Sequence, residues 1–256
     1  MSNIKNAFSK GKAFIPFITC GQISLDITEK TIYEMEKNGA DLIELGIPFS
    51  DPVAEGSIIQ SANSRALKNG TTTDKIFSML ESVRKNTDIH MVFMTYANIV
   101  FSYGIDRFAE KSKKLKIDGI ILPDVPYEEK KEFDSIFKNH NIDFISLIAP
   151  TSEERISAIA KDSNGFIYCV SSLGVTGIRE NINTNIEKMV NLVKSVNDIP
   201  VAVGFGISTP KQAKEMSKYA DGVIVGSAIV KLCEEYGEYS PSYVGKYVKE
   251  MKNAIL

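Results

Sequence analysis

The sequence is poor in the residues that build metal sites and disulfides. It contains no tryptophan, three cysteines and two histidines in 256 residues. The cysteines (Cys20, Cys169 and Cys233) lie far apart, without the C-x-x-C spacing of a metal or redox motif. Two histidines, His90 and His140, are too few for a histidine-rich metal site. An odd, sparse set of cysteines is typical of a reducing compartment, so we expect a cytoplasmic protein with neither disulfides nor metal.

The sequence also lacks long apolar runs and an excess of charge of one sign. No stretch approaches the ~18 apolar residues of a membrane span, and residues 1–6 lack the apolar core of a signal peptide. The net charge is −2 and no block of lysine and arginine occurs, which argues against a nucleic-acid partner. We therefore expect neither membrane nor nucleic acid as a partner of this chain.

Short apolar runs alternate with segments of helical periodicity along the whole chain. The apolar, β-branched runs predict eight strands, at 14–19, 42–45, 91–95, 119–122, 144–148, 166–170, 201–203 and 222–225. The segments between them predict helices, at 26–38, 59–67, 73–83, 105–115, 127–138, 151–160, 185–193, 210–218 and 228–236, with a short helix at 4–8 and a terminal one at 241–254. Asp26 to Glu29 has the pattern of a capping box at the start of the first long helix.

This unbroken alternation favours a single-domain (β/α)8 barrel over residues 1–256, with a short N-terminal helix and extra helices. The alternative is an open doubly wound sheet, but no G-x-G-x-x-G follows the first strand. Active sites of (β/α)8 barrels lie where the strands end and the βα loops begin. Polar residues at these ends are therefore the candidates for function.

Two carboxylates are close to the end of the second strand. Glu44 lies inside an apolar run, where a charge is costly unless it is used. Glu55 follows in the loop that Gly46 and Pro48 begin. In a barrel both would face the same cup, so we predict a pair for acid–base chemistry. The alternative is a strand-end glutamate that is merely exposed on the loop side.

Glycines follow the last three strands, where barrels of this kind hold a substrate phosphate. Gly204 and Gly206 follow the seventh strand, Gly226 and Ser227 open the helix after the eighth, and Gly177 follows the sixth. Backbone N–H groups and a helix N-terminus favour an anion, although such glycines also serve tight turns. We predict a phosphate site, and no Walker-type motif indicates a nucleoside triphosphate.

Several motifs together resemble one family along nearly the whole chain. They are Glu44-Leu-Gly-Ile-Pro-Phe-Ser-Asp-Pro52, Pro123-Asp-Val-Pro126, Gly174-Val-Thr-Gly177, Gly204-Phe-Gly-Ile-Ser208 and Gly226-Ser-Ala-Ile-Val230. The chain is similar in these to the tryptophan synthase α subunit family. That resemblance implies a (β/α)8 barrel that splits indole-3-glycerol phosphate into indole and glyceraldehyde 3-phosphate. It also implies an α2β2 assembly in which indole passes to a β subunit, and pyridoxal phosphate on that partner alone.

The resemblance also implies roles for individual residues. Glu44 matches the family's general acid/base, and Glu55 matches its second catalytic carboxylate. The expected substrate contacts are Phe17, Tyr96, Tyr168, Thr176, Gly177, Gly204, Gly206, Gly226 and Ser227. The expected partner-facing residues are Pro48, Asp51 and Asp124.

One departure from the family lies in the catalytic pair itself. The family usually has Asp-Gly-Pro where this chain has Glu55-Gly56-Ser57, and one methylene moves a carboxylate by about 1.5 Å. We expect a raised pKa for Glu44 in its apolar surroundings, and an ionised Glu55 on a looser loop.

Two alternatives therefore stay open. One is a weakly active or non-catalytic α-like subunit that binds a phosphate ligand and activates a β partner. The other is a different phosphate-binding barrel enzyme, such as an aldolase. A Schiff-base aldolase would need a lysine at a strand end, and Lys12, before the first strand, is a poor candidate.

Overall fold

The structure is a computed structural model, which describes residues 3–170, 182–204 and 206–256. Its strands are β1 (Ala13–Thr19), β2 (Leu42–Gly46), β3 (His90–Met94), β4 (Gly119–Ile121), β5 (Asp143–Phe144), β6 (Ser146–Ile148), β7 (Ile167–Val170), β8 (Val201–Gly204) and β9 (Gly222–Val225). Its helices are α1 (Leu25–Lys37), α2 (Ser57–Lys68), α3 (Thr73–Val83), α4 (Ala97–Tyr103), α5 (Ile105–Lys114), α6 (Lys130–Asn139), α7 (Glu153–Lys161), α8 (Ile182–Val196), α9 (Pro210–Ser217), α10 (Ser227–Tyr236) and α11 (Ser240–Ile255). Short 3-10 helices span Ile4–Phe8, Tyr127–Glu129 and Gly237–Tyr239.

The strands form one parallel sheet in the order β5-β4-β3-β2-β1-β9-β8-β7-β6. Its two outer strands, β5 and β6, are halves of the single strand predicted at 144–148, separated only by Ile145. The first half pairs with β4 and the second with β7, so the chain itself joins the two ends of the sheet. The predicted (β/α)8 barrel is confirmed, with its fifth strand divided in two.

Alternation along the strands separates the interior of the barrel from the layer under the helices. Ile15, Leu42, Val92 and Tyr168 belong to a buried cluster inside the ring. Phe14, Ile43 and their equivalents pack outward against the helices in a larger cluster. Because side chains alternate with a period of two, Glu44 points to the same side as Leu42, into the barrel.

The predicted N-terminal helix is the 3-10 helix Ile4–Phe8, and it closes the bottom of the barrel. Ile4 and Ala7 are buried in the interior cluster, at the end where the parallel strands begin. The ring of Phe8 lies 5.6 Å from that of Phe166. Apolar side chains therefore fill the barrel interior at this end.

Helix starts follow from their capping residues, with one correction to the prediction. Helix α9 has a capping box, formed by Thr209 at the N-cap and Gln212 at the third helical position, and Pro210 is its first residue. The capping box expected at Asp26 was wrong. Ser24 is the N-cap of α1, and its hydroxyl accepts a hydrogen bond from the backbone N–H of Ile27.

Helix α4 was not predicted. Its seven residues include β-branched Ile99 and Val100 and span only about two helical turns, too few for a clear helical pattern. The carboxylate of Asp124 accepts hydrogen bonds from the first helical N–H, that of Ala97, at 3.1 Å. A side chain from another loop thus supplies the capping group that the local sequence lacks.

None of the helices in the described ranges is long and apolar enough to cross a membrane.

Candidate active site

Glu44 is a buried carboxyl group at the open end of the barrel. It sits in the middle of β2, paired with Phe17 of β1 on one side and Val92 of β3 on the other. Only 2% of Glu44 is exposed. Burial, and then the charge of Glu55, raise the pKa of Glu44 to about 8. The raised pKa agrees with the expectation from the apolar run, and it keeps Glu44 mostly protonated at neutral pH.

Glu55 lies beside it, in the loop between β2 and α2. Its Oε2 accepts a hydrogen bond of 3.1 Å from Nδ2 of Asn63, a buried residue of α2. Its backbone carbonyl accepts a second hydrogen bond, of 2.8 Å, from Nε2 of Gln60. Helix α2 therefore holds both the side chain and the backbone of Glu55.

The expectation that Glu55 stays ionised is corrected. Burial raises the pKa of Glu55 to about 7, although hydrogen bonds from Tyr96 and Asn63 act in the opposite direction. The loop was expected to be loose, but Glu55 is half-buried between α2 and Tyr96. Both carboxyls of the pair therefore titrate near neutral pH, and Glu55 is the more acidic of the two.

Tyr96 joins the loop of Glu55 to the strand end of β3. It is the N-cap of α4 and 2% exposed, and its hydroxyl oxygen accepts a hydrogen bond of 3.1 Å from the backbone N–H of Ala54. The ring of Phe49 stacks on it at 4.9 Å. Burial raises the pKa of Tyr96 to about 12, so this hydroxyl is neutral at any physiological pH.

Phe17 is buried between two glycines, Gly46 and Gly226. A Cβ on Gly46 would come within 2.7 Å of its ring, and a Cβ on Gly226 within 3.4 Å. The same ring packs against Ala62 of α2 and Val230 of α10. Phe17 therefore packs strand β2 against α2 and α10, the two helices that flank the candidate site.

Tyr168 stands across the barrel from Glu44. It lies inside the ring on β7, and its pKa is raised well above its usual value by burial first and by Glu44 second. Gly204, predicted as a phosphate contact, faces this ring. A Cβ on Gly204 would come within 2.5 Å of the Tyr168 hydroxyl oxygen. The absence of a side chain at 204 is thus required by Tyr168.

Replacement of Gly204 by alanine is expected to destabilise the fold by about 1–3 kcal/mol, because the buried ring of Tyr168 must leave its position. The measurement is urea unfolding of Gly204→Ala and of Gly56→Ala. Gly56 has open space around its Cβ position and a φ of −75°, so its substitution is expected to cost less than about 1 kcal/mol. Equal midpoints for the two variants would contradict this role of Gly204.

The helix N-terminus predicted for phosphate is present at the same end of the barrel. Gly226 is the N-cap of α10 and Ser227 its first residue, directly after β9. Ser227 is exposed, and Gly206, with φ +73°, is exposed after β8. Helix N-termini favour anions through their free N–H groups and the helix dipole. The predicted Thr176 and Gly177 lie outside the described residues.

A cavity of about 570 Å³ opens at the end of the barrel where the strands begin, opposite the carboxylate pair. Its charged lining residues include Lys10, Lys12, Lys194, Asp198 and Asp221. Two of these form an ion pair, with Nζ of Lys194 2.8 Å from Oδ1 of Asp221. None of the predicted site residues lines it, so the carboxylate pair and not this cavity marks the candidate site.

The described part of the chain contains no group of three or more histidine, cysteine, aspartate or glutamate residues that could hold a metal ion. The three cysteines are buried and free, and burial raises the pKa of Cys20 and of Cys169 to about 12. Neither thiol forms a thiolate at neutral pH, so neither is a nucleophile at this site.

Comparison with known proteins identifies the family. A family model described as tryptophan synthase alpha chain matches residues 3–255. The chain belongs to the tryptophan synthase alpha chain family. The tryptophan synthase alpha chain of Lacticaseibacillus casei is 44% identical over 255 residues, which cover 100% of this chain and 96% of the relative.

Solved structures of the family have the same fold. Tryptophan synthase subunit alpha from Legionella pneumophila str. Paris is 34% identical, with a TM-score of 0.90 over 100% of this chain and 98% of that one. A chain from the tryptophan synthase α2β2 complex of Pyrococcus furiosus is 35% identical, with a TM-score of 0.87 over 95% of this chain and 99% of that one.

Two of the residues that the tryptophan synthase α family likeness placed toward a partner are accessible. Asp51 and Asp124 are exposed at the open end of the barrel. Pro48 is buried, in contrast to the expectation, because it follows β2 directly into the core. Exposed apolar side chains lie at the same end, with Val53 79% and Phe101 51% accessible.

Sequence reasoning missed Asn63, the residue that hydrogen-bonds the Glu55 carboxylate. A signal for it exists in α2, where Ala62 and Ala66 mark the buried face and Asn63 lies beside them. A polar side chain on the apolar face of a helix needs a partner. Glu55 is the nearest carboxylate along the chain.

Proposed function

We propose that the chain cleaves indole-3-glycerol phosphate to indole and glyceraldehyde 3-phosphate, the α reaction of tryptophan synthase. The observation that carries the proposal is the pair of carboxyls with raised pKa, Glu44 at about 8 and Glu55 at about 7, at the open end of the barrel. Paired carboxyls in different environments divide acid and base work between them. Membership of the family supports the same reaction.

Glu44 is proposed as the proton donor and acceptor. Protonated at neutral pH, it gives its proton to C3 of the indole ring. The resulting carboxylate then takes the proton of the glycerol hydroxyl. As that O–H bond breaks, the aldehyde C=O forms, the carbon–carbon bond breaks, and its electron pair returns to the ring. Glu44 ends in its original protonation state, so no external base is needed.

Glu55 is proposed to accept a hydrogen bond from the indole N–H, whose acidity rises as the ring becomes cationic. Its pKa of about 7 leaves a large fraction ionised at neutral pH, and hydrogen bonds to an ionised acceptor are the stronger kind. Tyr96 and Phe17 are proposed as apolar walls for the indole ring, and Tyr168 as a neighbour of Glu44. Thr176 is proposed to pair with Glu55.

The substrate phosphate is proposed to bind at the N-terminus of α10. Gly226 and Ser227 would offer backbone N–H groups, together with Gly204 at the end of β8, Gly206 after it, and Gly177. A phosphate held by neutral donors serves as a handle, whose binding energy places the reacting carbon over Glu44. The reaction needs proton transfers alone, so we propose that the chain has no cofactor of its own.

The partner is proposed to be a tryptophan synthase β subunit carrying pyridoxal phosphate, in an α2β2 assembly. The relative from Pyrococcus furiosus belongs to an α2β2 complex of tryptophan synthase that shows mutual activation. Val53 and Phe101 are exposed apolar groups at the end from which indole leaves, with Asp51 and Asp124 beside them. We further propose a single domain over 1–256 that works in the cytoplasm, without nucleic-acid or membrane partners.

Purified protein is expected to release indole from indole-3-glycerol phosphate, and to do so faster when a β subunit is added. Indole is measured by extraction and absorbance. Addition of glycerol 3-phosphate is expected to inhibit competitively, because it fills the phosphate site without an indole ring. Absence of indole both alone and with the β subunit would contradict the proposed function.

A further inference from the structure

Asn63 is a buried amide directed at the Glu55 carboxylate. It is 3% exposed, and its Nδ2 donates to Oε2 of Glu55 at 3.1 Å. A hydrogen bond with an ionised acceptor in a buried place is worth more than one on the surface. The carboxylate of Glu55 is therefore fixed from the side of α2 by an amide group that does not itself titrate.

Helix α2, which carries Asn63, is anchored on α10. The rings and methyls of Phe17, Ala62 and Val230 form one buried cluster between the two helices. Nη1 of Arg65 lies 2.8 Å from Oε1 of Glu234 across the same interface. Since Gly226 is the N-cap of α10, the packing links the proposed phosphate end of the cup to the helix that holds Glu55.

The length of the Glu55 side chain makes the hydrogen bond from Asn63 important for the position of the carboxylate. A glutamate has one more rotatable bond than the aspartate that is usual in the family, and so more freedom to leave the reacting position. Asn63 from α2 and Tyr96 from the start of α4 hold it from two elements. An anchored donor offsets the entropy of the longer side chain and keeps the carboxylate directed into the cup.

We propose that Asn63 is a positioning residue of the cleavage reaction, which acts through Glu55 and touches no reacting atom. This inference rests on the proposed function for its kinetic consequences, since it assumes that Glu55 accepts a hydrogen bond from the indole N–H. The packing of α2 against α10 fixes the position of Asn63, and the hydrogen bond from Asn63 fixes the position of the Glu55 carboxylate. Loss of the amide then affects turnover more than the binding of the phosphate.

Replacement of Asn63 by alanine is expected to lower kcat by about 10- to 100-fold, because an ångström-scale displacement of a catalytic group has that effect. KM is expected to change little. Among the residues that the structure describes, the ionisable groups that interact with Glu55 are Glu44 on β2 and Tyr96 at the start of α4. Since Asn63 lowers the pKa of Glu55, its loss should move the acid limb of the kcat–pH profile to higher pH.

Gln60→Ala is the matched control, because its side-chain amide lies on the same helix but bonds the backbone carbonyl of Glu55. It is expected to leave the acid limb where it is. Asn63→Leu keeps the size of the side chain and replaces the alanine variant should that one unfold. Wild-type kcat and an unmoved acid limb in the folded Asn63 variant would overturn the proposal.

A second readout does not depend on activity. The Glu55 carboxyl is followed by carbon-13 NMR against pH in wild type and Asn63→Ala, with Glu55→Gln for assignment. A higher midpoint in Asn63→Ala is the expected result, and an unchanged midpoint overturns the proposal. Wild-type protein that releases no indole contradicts the proposed function alone, and so the two failures are distinct.

Discussion

Replacement of Glu44 by glutamine is expected to lower kcat for indole release by about 10²–10⁴-fold, the usual contribution of a general acid–base group. Glutamine keeps the size and the polarity of the side chain but has no proton to give to C3 and none to take back. KM is expected to stay within a few-fold of wild type, since the phosphate end of the cup is untouched. Steady-state indole formation, with and without the β subunit, is the measurement.

The same substitution is expected to stabilise the fold at alkaline pH. The pKa of Glu44 is raised from 4.5 to about 8 in the folded chain. The unfolded chain releases this proton at lower pH than the folded one, so wild-type stability falls as pH rises from about 4.5 to about 8. The Glu44→Gln variant has no carboxyl at this position, so its stability does not fall with pH for this reason. Its Tm should exceed that of wild type by more at pH 8.5 than at pH 4.5.

Glu81→Gln is the control for both effects, because Glu81 is an exposed glutamate of α3. It is expected to change neither indole release nor the difference in Tm between the two pH values. An active Glu44→Gln variant would exclude proton transfer by this carboxyl. A site residue whose removal stabilises the protein is the expected sign of a charge kept in the core for function.

Glu55→Asp is expected to lower kcat by about 100-fold, although it restores the residue that is usual in the family. Loss of a methylene withdraws the carboxylate by about 1.5 Å. Asn63 cannot follow it, because α2 is anchored on α10 by the Phe17 cluster. The measurement is kcat and KM for Glu55→Asp beside Glu55→Gln, which keeps the length of the side chain and removes its charge.

The opposite result has a defined meaning. A Glu55→Asp variant more active than wild type would indicate that the glutamate has weakened catalysis in this chain. It would then favour an α-like subunit that binds a phosphate ligand and activates its β partner. Equal activity of Glu55→Gln and wild type would remove Glu55 from the reaction altogether.

Most of the fold could be predicted because the apolar pattern and the elements agree. Helix α3 begins and ends where the pattern placed it, at Thr73 and Val83. The failures have physical reasons. Ser24 and Asp26 both suit an N-cap, and only the backbone geometry decides between them. Helix α4 depends on Asp124, a capping group from a distant loop that no local pattern can reveal.

The site was harder to predict than the fold, because pKa depends on what packs around a group. Glu44 was recognised from an apolar run, a local signal of burial. Glu55 stands in a polar, glycine-containing loop that suggests solvent, yet α2 and Tyr96 enclose it and raise its pKa. Likewise, Gly204 has the pattern of a phosphate loop, while its contact with Tyr168 is visible only across the barrel.

The order of the strands has a consequence for synthesis on the ribosome. Strand β1 is made first and pairs on one edge with β2, which emerges soon after it. Its other edge pairs with β9, the last strand to be made. The backbone groups of that edge, from Ala13 to Pro16, therefore wait through almost the whole of translation for their partners. An unpaired strand edge of this kind can associate with other chains. We therefore expect the nascent chain to be prone to aggregation until β9 has been synthesised and pairs with β1.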